Sequence, residues 1–472
     1  MRRSWIFASA GLVTAGALLG TLPQPSSVDA GRVADTRKDE PGKAAERLRQ
    51  TLESLNFQEV LDTAPPGSAQ ARSIMSTTVD KEAHRNARRA SVADPKPIVQ
   101  QPQVDATVIE LDRRGRPVSS GTALMSPLYP KGVAVPVDGN LSTKDVRWRQ
   151  WDDKGWYANK GQGTLDVVPG RENAPVDHML NYPASVLKLI VNFGVLRLVD
   201  QGKIKLDSTY DYRPTASSSL CGGPTSKTVG QYMDESITFS SNPSSCALVK
   251  LLHDRAAIDP LNQVFQDLGL ETLQLKGTNP ANGGRWSNSI TMSSLDTAKL
   301  LVLVNGAKGA VWTAPNGKPV TSDVLRKSSR KVFMAKLAQQ GFNDMLSTPN
   351  RCGGDYPGPG IPHATPERWI DADGTANVQG TKFGRDVRPC NAQAEVTFAH
   401  KTGWVNNTAS DAGVVKALPG KDGRSYVVVV FSNLGTQYID AGRPAVPPGV
   451  YPYAYTKKFA QLGRAVDAAQ KD

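Results

Sequence analysis

Cysteine is scarce in this chain, with four residues in 472, which excludes a disulfide-dense scaffold. No Cys-x-x-Cys occurs, and the five histidines, His84, His178, His253, His363 and His400, show no ligand spacing. A metal site is therefore not expected. There is no Gly-x-Ser-x-Gly elbow, so a nucleophile of the α/β-hydrolase type lacks its anchor. There is no P-loop, and Gly161-Gln162-Gly163 is too short for a dinucleotide loop. Beyond Leu22 no stretch is long and apolar enough to span a bilayer. Acids are in deficit, 44 against 56 basic residues, for a formal charge of +12. The positive charge is spread along the chain, which disfavours nucleic acid as a partner. Apolar residues make up 39%, enough for a sizeable core and against wholesale disorder. The 42 Gly and 33 Pro imply long loops.

The amino terminus has a basic start (Arg2-Arg3), an apolar stretch from Trp5 to Leu22, and a small-residue site at Val28-Asp29-Ala30. That layout predicts a secretory signal over residues 1–30, with a membrane anchor as the alternative. The mature protein is then expected outside the cytoplasm, where disulfides persist. Four cysteines allow three pairings, which sequence alone does not choose. The expected bridges are Cys352–Cys390, closing a Gly/Pro-rich stretch, and Cys221–Cys246, although Cys246 also suits a buried small hydrophobe.

Residues 31–103 read as an accessory segment with one amphipathic helix near 44–61, a basic run at Lys81–Arg89 and a proline-rich linker from Ala93. From 104 onward the texture changes. Ala106–Leu111 reads as a strand. Residues 121–165 read as a loop-rich insertion whose Trp148, Trp151 and Trp156 suit packing better than a ligand platform. Ser185–Val199 is apolar on nearly every face, as in a helix buried all round. Helical patterns follow at 243–253, 260–268, 292–304 and 326–340. Strand patterns return at Glu395–Ala399, Ala412–Ala417 and Tyr426–Phe431, and a last helix spans Tyr453–Ala469. Strands at both ends with helices between them predict an α+β fold, an antiparallel sheet built from both chain ends with an inserted helical lobe.

The buried helix opens Pro183-Ala184-Ser185-Val186-Leu187-Lys188. Ser and Lys three apart share one helix face. The positive potential of a helix start, together with burial, favours a serine alkoxide and a neutral lysine. Such a lysine is a competent general base for Ser185 without any histidine. Ser-x-x-Lys is expected about twice by chance in such a chain, and a second one, Ser328-Ser329-Arg330-Lys331, sits on a polar helix and reads as a decoy. Two further features single out the first. Ser240-Ser241-Asn242 opens another helix, where a hydroxyl could relay a proton and an amide could hold a substrate; alone, it is an ordinary N-cap. His400-Lys401-Thr402-Gly403 follows a strand, and Lys-Thr-Gly is expected only on the order of 0.1 times per chain.

Taken in this order, the three motifs resemble those of the penicillin-recognising serine hydrolases, closest to the class A β-lactamases, over residues 104–472. The resemblance implies the β-lactamase/transpeptidase-like fold, with Ser185 as acylated nucleophile, Lys188 as its base and Ser240 as proton relay. It further implies that Asn242 holds the acyl side chain, that Lys401 and Thr402 face the substrate carboxylate while Gly403 lets the substrate lie close against the strand, and that the backbone N–H groups of Ser185 and Trp404 form the oxyanion hole. It implies no cofactor and no metal. A β-lactam, a peptidoglycan stem peptide or a related ester or amide would be the substrate, for a monomer associated with the cell wall.

The chain departs from the family pattern at Ser241, where class A enzymes usually have Asp, and more sharply at the deacylation loop. Class A enzymes carry a Glu-Pro-x-Leu-Asn loop whose Glu activates the deacylating water. Here Asn279-Pro280-Ala281-Asn282-Gly283 falls in its place. Asn cannot accept a proton at neutral pH, so acylation is expected to be retained and turnover slowed. Two other readings are a β-lactamase with a displaced water base and a catalytically silent wall-binding protein. The 161 residues between Ser240 and Lys401 are many for this fold. A second insertion, at 343–395 with Cys352 and Cys390, accounts for much of the excess.

Overall fold

The computed structural model describes residues 42–57, 98, 100–152, 165–287, 289–352, 360–405, 408–435, 438–439, 450–451 and 455–471. The signal expected at 1–30, the basic run Lys81–Arg89, most of the linker and Trp156 lie outside these residues. Six strands form one antiparallel sheet: β1 (Val104–Leu111), β2 (Pro117–Ser126), β3 (Tyr129–Val135), β4 (Val396–Val405), β5 (Thr408–Ala417) and β6 (Ser425–Ser432). Their order is β4-β5-β6-β1-β2-β3, so the two ends of the chain meet where β6 pairs with β1, Val104 opposite Ser432. Strand β6 contains the apolar run Tyr426–Phe431 because both of its faces are covered. Val427, Val429 and Phe431 join the core of the helical lobe; Tyr426, Val428 and Val430 join a second core on the opposite face.

The lobe side is built from α2 (Lys188–Asp200), α3 (Val229–Thr238), α4 (Asn242–Asp254), α5 (Ile258–Asp267), α6 (Ser294–Asn305) and α7 (Lys327–Leu337). Helix α2 has a very weak apolar face because it is apolar all round, ten of its residues being buried. Helix α6 is tied across to the sheet by Asp105 of β1, whose carboxylate accepts from the Ser294 N–H at 2.7 Å and from the Ser294 hydroxyl. Burial pushes the Asp105 carboxyl up to about 7. The fold expected from the sequence is therefore the fold observed, α+β with the lobe inserted between the two halves of the sheet.

Two boundaries differ from the sequence reading. Helix α1 (Lys43–Ser54) falls in the same compact unit as the sheet, Arg37–Asp472, rather than in a separate accessory segment. It lies on the second core with Leu48 and Leu52, next to the terminal helix α8 (Tyr455–Ala469). Phe57 meets Phe459 at 6.0 Å, and Lys458 Nζ donates to the Leu55 carbonyl at 2.5 Å. Gly121 of β2 makes this packing possible: a Cβ there would sit 2.6 Å from the Ala44 carbonyl carbon. This glycine is thus a helix-on-strand contact.

Residues 121–165 are likewise not an insertion throughout. They complete β2, supply β3 and add the strand Val146–Gln150, which pairs in parallel with Val176–Leu180. Trp148 is buried there with Leu124, Val135 and Leu180, and packs edge-on to His178; Trp151 is partly buried against the second core. Both are packing residues, as expected.

Both expected disulfides are present. Cys221–Cys246 joins the loop before α3 to the buried face of α4, and Cys352–Cys390 closes the second insertion. No helix among the described residues is long and apolar enough to cross a membrane.

Candidate active site

Ser185 sits in a short 3-10 turn, Ala184–Leu187, that leads directly into α2. Its N–H lies at a helix start and so has no partner within the helix. Ala184 just before it has φ 46°, a left-handed conformation that costs a non-glycine residue on the order of 1 kcal/mol. Such strain persists only where the surroundings enforce it, and here β4 does so. A Cβ on Gly403 would lie 2.7 Å from Ser185 N and 2.8 Å from Val186 N. The Ser410 hydroxyl of β5 braces the junction, within 2.9 Å of the Pro183 carbonyl and 3.0 Å of the Gly403 carbonyl.

Lys188 is fully buried and its Nζ is the centre of the site. It lies 2.9 Å from Ser185 Oγ, 2.6 Å from the Ser240 carbonyl, 2.9 Å from Ser240 Oγ and 2.8 Å from Asn242 Oδ1. Burial holds this amine well below the usual lysine range, and the charge of Lys401 lowers it further. A neutral amine has two N–H groups and one lone pair. The Ser240 carbonyl and the Asn242 amide oxygen can only accept, so they take the two protons. The lone pair then remains for a hydroxyl proton, and the Ser185 hydroxyl is within reach of it.

Lys401 is the second buried cation. Its Nζ donates to Ser240 Oγ at 3.0 Å and to the Thr402 carbonyl at 2.8 Å. Burial takes it down to about 7, opposed by the negative charge of Asp411. Ser240 thus has its hydroxyl between two lysine amines, and it too is left-handed, φ 62°. Ser241 caps α4 by accepting from the Ser244 N–H at 3.2 Å. The N-cap reading of Ser-x-Asn therefore holds for Ser241, while Ser240 and Asn242 on either side of it contact the lysine amines. Ser185, Ser240, Asn242 and Trp404 are half-buried, whereas both lysines are sealed.

Two expected positions, Thr402 and Asn279, are placed differently. The Thr402 hydroxyl donates to the Phe342 carbonyl at 3.1 Å and is buried, so it is not presented to the cleft. Asn279 is exposed on the hairpin Thr278–Asn279/Arg285–Trp286, where its amide oxygen accepts from the Ala281 N–H at 2.9 Å and shapes the turn. From the same hairpin, Trp286 Nε1 donates to the hydroxyl of Tyr182, three residues before Ser185, at 2.7 Å. In the second Ser-x-x-Lys, Ser328 and Lys331 are both exposed, as a decoy should be.

Sequence reasoning missed a buried network behind Lys401. His400 bridges Asp411 Oδ1, 2.8 Å from Nδ1, and Asn343 Oδ1, 2.7 Å from Nε2. Asp411 Oδ2 also accepts from the Leu346 N–H at 3.2 Å. The network ties the root of the second insertion to β4 and β5. Its residues are far apart in sequence, and only the His beside Lys-Thr-Gly was a visible signal.

Residues 176–348 and 376–445, just over half of the chain, match the sequence model of the beta-lactamase enzyme family. The protein belongs to that family. Among solved structures it is similar to PBP-A, a point mutant of which is described as an acyl-enzyme complex with penicillin-G (16% identity, 82% of this chain and 94% of that one, TM-score 0.41). It is also similar to a β-lactamase from Chitinophaga pinensis DSM 2588 (15% identity, 83% and 98%, TM-score 0.42) and to an ancestral class A β-lactamase (15% identity, 83% and 100%, TM-score 0.39). No curated protein sequence matches.

Proposed function

We propose that this protein is an exported serine hydrolase that forms an acyl-enzyme at Ser185 and releases it slowly. The observation that carries the proposal is Lys188, sealed from solvent, with Ser185 and Ser240 both 2.9 Å from its Nζ. In this reading Lys188 takes the Ser185 proton as the hydroxyl attacks a carbonyl carbon. Ser240 returns a proton to the leaving nitrogen or oxygen, and Lys401 holds the Ser240 hydroxyl while supplying positive charge for a substrate carboxylate. The N–H groups of Ser185 and Trp404 would stabilise the oxyanion. Asn242, its amide oxygen engaged by Lys188, keeps its NH2 for the acyl side chain. Strand β4 is a sheet edge, so a peptide-like substrate can lie along it and pair with its backbone. Substrates of the D-Ala-D-Ala or β-lactam type suit such a cleft. Where the family's deacylating Glu is expected in the sequence the chain has Asn279, which cannot accept a proton and is exposed on its hairpin. The two disulfides support a location outside the cytoplasm.

Labelling with a fluorescent penicillin tests the proposal. Wild type should be labelled and Ser185→Ala should not; an unlabelled wild type would favour a silent binding protein. Rapid nitrocefin turnover would instead point to a water base elsewhere in the cleft.

The two lysines also predict the pH profile. Acylation needs Lys188 neutral and Lys401 charged. The labelling rate should rise as pH passes the depressed value of Lys188, then fall as pH passes about 7 and Lys401 loses its proton. Asp411 favours the charged form of Lys401, so Asp411→Asn should move the alkaline limb to lower pH. Rates measured across about pH 5 to 9 would check both limbs; an alkaline limb unmoved in Asp411→Asn would contradict the assignment.

A further inference from the structure

The second insertion carries a small core of its own, which includes Phe342, Trp369, Val378 and Phe383. One member of that cluster comes from elsewhere: Phe239, the residue immediately before Ser240, is packed against it. Its ring meets Trp369 edge-on at 6.2 Å. The root of the insertion, just before it in the chain, holds the same turn by the turn's own backbone carbonyls. Gly341 N–H donates to the Thr238 carbonyl at 2.7 Å, and Gln340 Nε2 donates to the Ile237 carbonyl at 3.0 Å. Trp369 is fixed in turn, its Nε1 donating to the Gln339 carbonyl at 2.8 Å. The fit is close: a Cβ on Gly341 would fall 3.0 Å from Trp369 and 2.7 Å from Val378. At the outer edge Arg368 pairs with Asp234 of α3 at 3.1 Å. On its other side the same root reaches β4, through Phe342 to Thr402 and through Asn343 to His400.

Residues 339–343 and 369 therefore join the turn that carries Ser240 to the strand that carries Lys401. Ser240 must keep a strained left-handed backbone while its hydroxyl stays within 3.0 Å of both lysines. Strain of that kind needs surroundings that over-determine it. Helix α4 fixes the turn from one side by the Ser241 cap; the insertion is what grips it from the other.

We infer that the disulfide-closed insertion is a positioning element for Ser240, and that Trp369, by clamping Phe239, is its principal positioning residue. The inference rests on the acyl-enzyme reading for its kinetic consequence but not for its structural one. A displacement of about 1 Å at a reacting group lowers rates on the order of 10²-fold. Trp369→Ala should slow labelling by a fluorescent penicillin by about 30-fold with the apparent affinity changed less than about 3-fold, and Trp369→Phe should restore most of the rate. A purely structural role would instead lower the labelled fraction without changing the rate constant.

The second readout is NMR of protein carrying 15N-labelled lysine. The Nζ signals of Lys188 and Lys401 should shift in Trp369→Ala, while that of buried Lys299, in α6, should not. If wild type is never labelled, the functional reading fails and the NMR shifts alone decide the inference. If Trp369→Ala does not fold, the paired Cys352→Ser and Cys390→Ser variant, which loosens only the insertion, takes its place in both measurements. A folded variant of either kind with a wild-type rate and unshifted lysine signals overturns the inference.

Discussion

Replacing Lys188 with Met should slow acylation of Ser185 by about 10³-fold, on the order of 4 kcal/mol in the barrier. The variant keeps an unbranched side chain, one atom shorter, and removes the amine placed to take the Ser185 proton. Nothing else within the site substitutes for it. Lys401 is bonded to Ser240 and to its own strand rather than to Ser185. The fold should survive, because a thioether accepts burial more readily than an amine does. The Ser240 carbonyl and Asn242 amide lose a donor, but both residues are only half-buried, so water can replace it. The check is a labelling rate for folded protein alongside its thermal midpoint. A folded Lys188→Met variant within about tenfold of wild type would remove the lysine from the role of base.

Gly403→Ala should be nearly as damaging, for a steric reason. The added methyl would meet the backbone nitrogens of Ser185 and Val186 at 2.7 and 2.8 Å and the Ser410 hydroxyl at 2.6 Å. None of these is the free end of a flexible chain. The strand must move off the helix start, which separates the N–H groups of Ser185 and Trp404. Loss of one oxyanion donor is worth about 10²–10³ in rate, and the overpacking itself about 1–3 kcal/mol of stability. Rates normalised to the folded fraction would separate the two effects. An Ala variant with wild-type acylation would mean that β4 does not set the geometry at Ser185.

Ser185, Lys188, Ser240, Asn242 and Lys401 were all legible in the sequence, and the structure gathers them around one amine. They were legible because each belongs to a short local pattern placed at a helix start or on a strand. The sheet halves from 104 and 395 onward and most lobe helices were legible for a similar reason, since their apolar periodicity is strong. What escaped has two physical causes. Strands β2 and β3 are rich in Ser, Gly, Pro and Lys, and one of those glycines is small so that α1 can pack on it. Helix α1 looked detachable because its apolar face is narrow, and its partners on α8 lie some four hundred residues away. The other cause is distance along the chain. His400, Asp411 and Asn343 form one network, and Phe239 with Trp369 another, yet no local pattern connects the members of either. Thr402 shows the limit of motif transfer: the residue matches, but its hydroxyl is taken by the Phe342 carbonyl, just before the second insertion.

An acyl-enzyme on Ser185 should form readily and clear slowly. Intact-protein mass spectrometry after brief exposure to penicillin, followed over hours once the drug is removed, tests it directly. The account predicts one adduct per chain, located on the peptide that contains Ser185, absent from Ser185→Ala and still present after many times the acylation half-life. An adduct on another residue, or one that disappears as fast as it forms, would contradict it.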